Sequence, residues 1–297
     1  MSGLVTTLKS ISRRVGLTPV LKALLATPAD AAKGTHETSP SSPSPGTLNF
    51  QCNICGSDNC LIAATITRET GACHCCGANV RFRSMAAILT QRLFGKIVVL
   101  EELECDGSIR GLGMSDSLCY ASRLESKFAY TNTFYHCDPQ LDIVQPDTCW
   151  VGCNDFVISS DVFEHVAPPV QRAFDNLLAL LKPGGVVVFS VPFSFENATQ
   201  EHFPNLHKFS IREESSGVWI LDNETADGEV EQFRNLVFHG GPGSTLEMRL
   251  FSLAALERHF EKAGFVDFHV HNEPYFEHGI FWLEPWSISI SARRAPT

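Results

Sequence analysis

Residues 155–193, DFVISSDVFEHVAPPVQRAFDNLLALLKPGGVVVFSVPF, constrain the fold of this 297-residue chain more than any other stretch. Residues 155–160 are a short apolar run rich in branched side chains, and it ends in the polar cluster Ser159-Ser160-Asp161. Val170, Ala173, Phe174, Leu177, Leu178 and Leu181 then recur at helical spacing. Lys182 stands at the helix end, where the dipole favours a cation, and Pro183 with Gly184-Gly185 stops the helix. Residues 186–191 read as a second buried strand. This order of strand, helix and strand is a βαβ unit of a parallel sheet. Ligands of such sheets sit beyond the carboxyl ends of the strands. That rule puts Asp161, Glu164 and His165 at the mouth of a site.

The rest of the pattern extends the sheet. Residues 81–94 read as a helix with Met85, Ile88, Leu89 and Leu93 in one stripe. Residues 97–100 read as the first strand, 115–127 as a helix, 129–135 as the second strand and 140–144 as a short third. The strands at 155–160 and 186–191 are the fourth and fifth. A helix over 253–263, closed by Gly264, precedes strands at 265–270 and 281–290, which brings the count to seven. Pro285 places the last strand at an edge or at a bulge.

Eleven cysteines are many, and six of them lie between Cys52 and Cys76. Cys52-Asn-Ile-Cys55-Gly and Cys73-His-Cys-Cys76-Gly are two CxxCG knuckles separated by 17 residues. Each knuckle turns two thiolates toward one ion, and the following glycine permits the turn. Four thiolates at this spacing suit structural Zn²⁺, bound by Cys52, Cys55, Cys73 and Cys76. Ile62, Ala64, Ile66 and Ala72 would supply the hairpin between the knuckles. Cys60, His74 and Cys75 are spare ligands. The other cysteines are scattered singly, which suits a reducing, cytoplasmic setting better than a disulfide framework.

Formal net charge is −10, which argues against a general nucleic-acid partner. No apolar run reaches the length of a membrane span. Residues 1–22 carry Lys9, Arg13, Arg14 and Lys22 with no acidic residue, and suit either a frayed leader or weak contact with a membrane surface or a protein. Residues 27–48 are rich in Pro, Ser and Thr and read as a disordered linker. The expected organisation is therefore leader and linker over 1–48, zinc ribbon over 49–84, and a large α/β domain over 85–297 with an insertion at 192–250.

The "DVFEHV" turn, the "LKPGG" helix stop and the strand ending in proline closely resemble the second half of a class I S-adenosylmethionine-dependent methyltransferase. The resemblance implies a doubly wound, seven-stranded, mostly parallel sheet, with the zinc ribbon as an N-terminal addition. It also implies an acidic residue at the end of the first strand, here Glu101, and a GxGxG cofactor loop. Leu103 and Cys105 stand where the first glycines of that loop would fall. Gly107 aligns simply, and Gly111 and Gly113 follow just before the helix. Asp138 is the candidate for the ribose hydroxyls, Asp142 for the adenine amino group, and Asp161 lies at the same cofactor site.

Methyl transfer needs placement above all, because the sulfonium is already an activated donor. A base is required only where the acceptor carries a proton. His165, with Glu164 beside it, is the candidate, since imidazole titrates near neutrality. Phe193, Glu201, His202, His207 and His239 in the insertion are candidate substrate contacts. The reading favoured is a methyltransferase of a small molecule or glycan. An RNA methyltransferase and a non-catalytic scaffold, binding partners through the ribbon and leader, remain its rivals.

Overall fold

The computed structural model describes residues 46–297. The leader, and the expected linker up to residue 45, lie outside the described residues. The chain enters with β1 (Thr47–Gln51) and β2 (Asp58–Ile62), then α1 (Val80–Phe94), β3 (Asp106–Met114), α2 (Leu118–Lys127) and β4 (Phe128–Thr133). Next come β5 (Asn154–Ser160), α3 (Gln171–Leu180) and β6 (Leu181–Ser190). The insertion holds β7 (Phe193–Ser194), β8 (Gln200–Glu201), β9 (Lys208–Glu213), β10 (Trp219–Glu224), β11 (Val230–Phe233), β12 (Phe238–His239) and β13 (Thr245–Leu246). The chain closes with β14 (Arg249–Ser252), α4 (Leu253–Ala263), β15 (Phe265–Val270) and β16 (Ile290–Arg294).

The described residues divide into two compact units, each assembled from separate stretches of chain. The first comprises residues 46–109, 116–130 and 270–290. Thus 49–84 packs as part of a larger unit. β1 and β2 pair antiparallel and flank the first knuckle, where the sequence suggested a hairpin between the two knuckles. Leu48 and Phe50 are buried while Asn49 and Gln51 face out, the period-two pattern of a half-buried strand. β1 therefore begins inside the stretch read as linker. In α1 the Asn79 side chain accepts from Phe82 N at 3.0 Å, and Gly95, at φ 74°, closes the helix.

The run at 97–100 is not a strand. It leads into a 3-10 turn at Leu100–Glu102, because Leu100 N and Glu101 N donate to Asn53 O (2.9 Å) and Ile54 O (3.2 Å) of the first knuckle. Its apolar residues pack, but its backbone donors are committed to the cysteine module rather than to a sheet.

Asp116 is buried in this unit and accepts from the Tyr130 hydroxyl. Burial pushes its carboxyl up to about 7, against the opposing pull of the Tyr130 and Tyr120 hydroxyls and of Arg81. The unfolded group titrates near 3.8. Between those values the folded state binds the extra proton, so stability is highest at low pH and falls as pH rises through 7. The loss between about pH 5 and about pH 8 should be on the order of 3 kcal/mol. Urea unfolding across that range should show this decline in the wild type and not in Asp116→Asn; parallel profiles for the two proteins would refute it.

The second unit comprises residues 110–115, 131–269 and 291–297. The central sheet has the order β15-β16-β6-β5-β3-β4, six strands where seven were expected. Residues 140–144 contribute only an isolated bridge, Phe134 to Gln140, and the strand expected over 281–290 begins at Ile290. β3 runs parallel to β5, with Gly111 opposite Phe156 and Met114 opposite Ser159, and β5 runs parallel to β6. The first sheet strand is therefore 106–114, the stretch that the sequence presents as a glycine loop. Gly111 is there for packing: a Cβ on it would lie 2.0 Å from Phe156 Cζ.

α3 buries Ala173, Phe174, Leu177 and Leu180. Phe163, in the turn after β5, meets Phe174 at 4.8 Å and Phe189 at 5.0 Å between ring centroids. These contacts fix the turn that carries Glu164 and His165. The insertion is a β-rich layer with a small core of its own, formed by Phe203, Leu221, Leu246 and Met248 below the sheet β11-β10-β9. β14 pairs parallel with β7 and antiparallel with β8, which joins the insertion's start to its end. No helix among the described residues is long and apolar enough to cross a membrane.

Candidate functional site

In the first unit the four knuckle cysteines converge. Cys52 Sγ lies 3.7 Å from Cys76 Sγ, Cys55 Sγ lies 3.6 Å from Cys73 Sγ, and all four sulfurs fall within 4.8 Å of one another. Four thiolates held tetrahedrally at ~2.3 Å from one ion are ~3.8 Å apart, so the cage fits Zn²⁺. Gly56 and Gly77 follow the knuckles at φ 74° and 76°, the left-handed region that a CxxCG turn demands. Asn59 donates to Cys73 Sγ at 3.5 Å and accepts from His74 N at 3.1 Å. His74 Nδ1 bonds the same Asn59 oxygen, and Cys60 and Cys75 are exposed, so the spare ligands stay outside the cage.

Arg83 is fully buried and donates to the carbonyls of Ala78 and Gly279. Burial lowers its pKa, and the Cys52, Cys73 and Cys76 thiolates raise it. Four thiolates around a divalent ion leave a net double negative charge, which this cation offsets.

In the second unit the carboxyl ends of β3, β5 and β6 carry Ser115, Asp161 and Ser190. Gly107, Gly111 and Gly113 lie inside β3 and form no loop. The spacing of GxGxG is met instead by Gly113-x-Ser115-x-Ser117, with Ser115 at φ 58° in the left-handed conformation of a glycine. Ser115 N donates to Thr133 O at 2.7 Å, and Thr133 Oγ1 donates to Gly113 O at 2.7 Å. A cradle of Gly111, Gly113 and the helix start at Ser115 is readable in the sequence, but the left-handed conformation of Ser115 is not. Asp161 also has a positive φ, 55°; its N–H donates to Ser190 O at 2.8 Å, and its Oδ1 accepts from Ser190 Oγ at 3.1 Å.

The other acidic candidates are placed differently. Glu101 lies in the 3-10 turn, not at a strand end, and its carboxylate pairs with Arg123 at 2.9 Å. Asp138 is exposed in the turn after β4. Asp142 Oδ1 accepts from Val144 N at 2.8 Å and closes its own turn.

The histidines make the densest polar constellation of the second unit. His165 Nδ1 donates to Leu246 O at 2.8 Å, and its Nε2 lies 3.8 Å from the carboxylate of fully buried Glu164. Burial holds the His165 pKa below the usual imidazole range, His239 adds to the depression, and the Leu246 carbonyl opposes it. The rings of His165 and His239 stand nearly perpendicular, 4.7 Å apart. Glu247 joins His239 Nε2 (2.9 Å) to His202 Nε2 (2.7 Å).

Three substrate candidates lie outside this constellation. Glu201 binds Arg249 Nε through both oxygens, at 2.9 and 3.1 Å. Phe193 is buried in β7, and His207 is exposed, with its N–H on Asn223. Arg249 and Glu247 were not singled out from the sequence. Arg249 is fully buried, and its Nη1 donates to Phe163 O (3.0 Å) and Val166 O (2.6 Å), which latches both ends of the turn bearing Glu164 and His165. Their signal is the alternation Leu246-Glu247-Met248-Arg249-Leu250, in which two charges interrupt an otherwise apolar run.

The chain is similar to several solved proteins at low identity and low TM-score. One is the 1,6-didemethyltoxoflavin-N1-methyltransferase of Burkholderia thailandensis, 14% identical over 71% of this chain and 78% of that one, with a TM-score of 0.39. A second is the sugar N-methyltransferase KedS8 of a Streptoalloteichus species, 13% identical over 71% and 85%, with a TM-score of 0.39. A third is a methyltransferase of Mesorhizobium loti, 14% identical over 74% and 100%, with a TM-score of 0.38. No curated protein matches the chain. Residues 139–270 match the family described as a methyltransferase domain. That match spans β5, the Asp161–His165 turn, α3, β6 and the insertion, so this stretch of the chain is similar to a methyltransferase domain.

Proposed function

We propose that the protein transfers the methyl group of S-adenosylmethionine to a small molecule or glycan bound over the histidine cluster. The observation that carries this reading is the constellation His165, His239, Glu164, Glu247 and His202, gathered by the insertion onto the turn after β5, where sheets of this kind bind ligands. Gly113 and Ser115 form the backbone approach to the cofactor, Asp138 holds the ribose, and Asp161 flanks the cofactor at the end of β5. Asp142 remains a candidate at the adenine, with its turn bond as the competing demand on its carboxylate. His165 is neutral at physiological pH with its proton on Nδ1, so Nε2 offers a lone pair to a protonated acceptor. Zn²⁺ at the four cysteines is structural, because a closed tetrahedron of thiolates leaves no position for a substrate. None of the eleven cysteines is in a disulfide. The acidic balance of the chain favours this reading over an RNA acceptor.

Calorimetric titration with S-adenosylmethionine and S-adenosylhomocysteine tests the assignment. Both should bind with micromolar affinity, and Asp138→Ala should weaken both by roughly tenfold or more, the loss of a bidentate, charge-assisted contact. Absence of binding to the folded protein would favour the scaffold reading. Undiminished affinity in Asp138→Ala would remove that residue from the ribose.

A further inference from the structure

We propose that Glu164, His165 and His239 bind a divalent ion of the first transition row, separate from the cysteine site, with coordination positions left open toward the acceptor. One atom from each residue falls within 4.8 Å of the others. His165 Nε2 is 3.8 Å from Glu164 Oε1, and His239 Nδ1 is 4.0 Å from the same oxygen. Ligands held tetrahedrally at ~2.1 Å from one ion are ~3.4 Å apart, so side-chain movements of about an ångström close the site.

The orientation of both rings is already that of metal ligands. A ligating histidine commonly donates its second nitrogen to a carbonyl or carboxylate, which fixes the tautomer and turns the lone pair to the ion. His165 does this through Nδ1 to Leu246 O, and His239 through Nε2 to Glu247. The two nitrogens left over, His165 Nε2 and His239 Nδ1, are those that face Glu164. Glu247 is itself oriented by His202 at 2.7 Å. Glu164 is held from below: Met248 N donates to its carbonyl at 2.8 Å, and Arg249 grips the carbonyls of Phe163 and Val166 on either side. Glu164 is fully buried, whereas the His239 side chain is 38% exposed, so solvent reaches the cluster from the His239 side. Two imidazoles and one carboxylate suit Zn²⁺, Fe²⁺, Co²⁺ or Mn²⁺ better than Ca²⁺ or Mg²⁺, which prefer oxygen ligands.

This site deepens the proposed function and rests on it only for the identity of the acceptor. His165 Nε2 cannot serve an ion and a substrate proton at once. With the ion bound, an acceptor hydroxyl takes an open position, the ion lowers its pKa, and its proton leaves to the solvent that reaches the cluster from the His239 side, so His165 is then a ligand and not a base.

The test is titration of the zinc-replete full-length protein with Co²⁺, followed by elemental analysis and visible absorption. A cobalt ion should bind in addition to the zinc, with d–d bands and without the thiolate charge-transfer absorption of a cysteine site. His239→Ala and Glu164→Gln should each weaken that binding by more than about tenfold. His239 is partly exposed, so its variant should fold even if the Glu164 variant does not, with circular dichroism as the control. No cobalt beyond the zinc, or unchanged cobalt affinity in folded His239→Ala, would overturn the proposal. Calorimetry with S-adenosylmethionine on the same samples separates the two readings: cofactor binding without cobalt binding sinks the metal site alone, and cobalt binding without cofactor binding sinks the methyltransferase reading alone.

Discussion

Stripping the ion from Cys52, Cys55, Cys73 and Cys76, or replacing Cys52 by serine, is expected to unfold the whole first unit and not a small appendage. The cage holds the two knuckles together, and the first knuckle supplies the carbonyls that bind Leu100 N and Glu101 N. Arg83, beside the thiolates, donates to Gly279 O at 2.9 Å, a residue 196 positions away in the chain. His278 Nδ1 meets Gln51 O at 3.1 Å, and Gly279 packs so closely on Phe50 that a Cβ would lie 2.7 Å from the ring. Structural zinc contributes on the order of 10–16 kcal/mol of apparent binding free energy at neutral pH, comparable with the ~5–15 kcal/mol that keeps a whole domain folded. Loss of the ion also leaves four clustered thiols beside a buried guanidinium. Hydrogen exchange after chelation should therefore show loss of protection over 46–109 and, with it, over 270–290. Retained protection at 270–290 in metal-free protein would show that the cage supports only its own loops.

Arg249→Ala should destabilise the second unit by about 3–5 kcal/mol, the usual cost of removing one partner of a buried ion pair. Arg249 is fully buried and satisfies the Glu201 carboxylate and the carbonyls of Phe163 and Val166. Its loss strands a carboxylate in a partly dry setting and frees the turn that carries Glu164 and His165. The chemistry should suffer beyond the stability loss, because His165 is aimed by that turn. Glu201→Gln should cost less, about 1–3 kcal/mol, since Glu201 is a third exposed and the amide oxygen still accepts from Nε. The double variant Glu201→Gln with Arg249→Met should recover part of the deficit, because an apolar side chain of similar length fills the space without an unpaired charge. Chemical denaturation of the three proteins checks the order. Equal stability of wild type and Arg249→Ala would show that the latch carries no load.

The elements that were legible share one property: local patterning and tertiary demand agree in them. β5, α3, α4 and β15 appear where apolar periodicity put them, to within a residue or two. The first strand begins nine residues later than expected because two local signals misled in opposite directions. Residues 97–100 are apolar enough for a strand, but their donors bond the cysteine knuckle. Residues 106–114 contain three glycines and look like a loop, yet Gly111 makes room for Phe156 across the sheet. Through the same displacement Glu101, expected at the end of the first strand, lies in a 3-10 turn and pairs with Arg123.

The sequence by itself determined the βαβ framework, the Asp161–His165 turn at its mouth, and the four cysteines of the cage. Those features depend on contacts between residues close in the chain, namely helix periodicity and the left-handed glycine after each knuckle, whereas α3 ends at Leu180, and Lys182, expected at the helix end, lies in β6 and pairs with Asp155 at 2.7 Å. Tertiary structure alone decided which histidines meet. His165 and His239 are 74 positions apart, and Glu247 unites His202 with His239 only because the insertion folds back along β14. It also gave Glu201, a candidate substrate contact, Arg249 as its buried partner. A residue type and its spacing state what a side chain can do; the buried partner it finds across the fold decides which of those things it does.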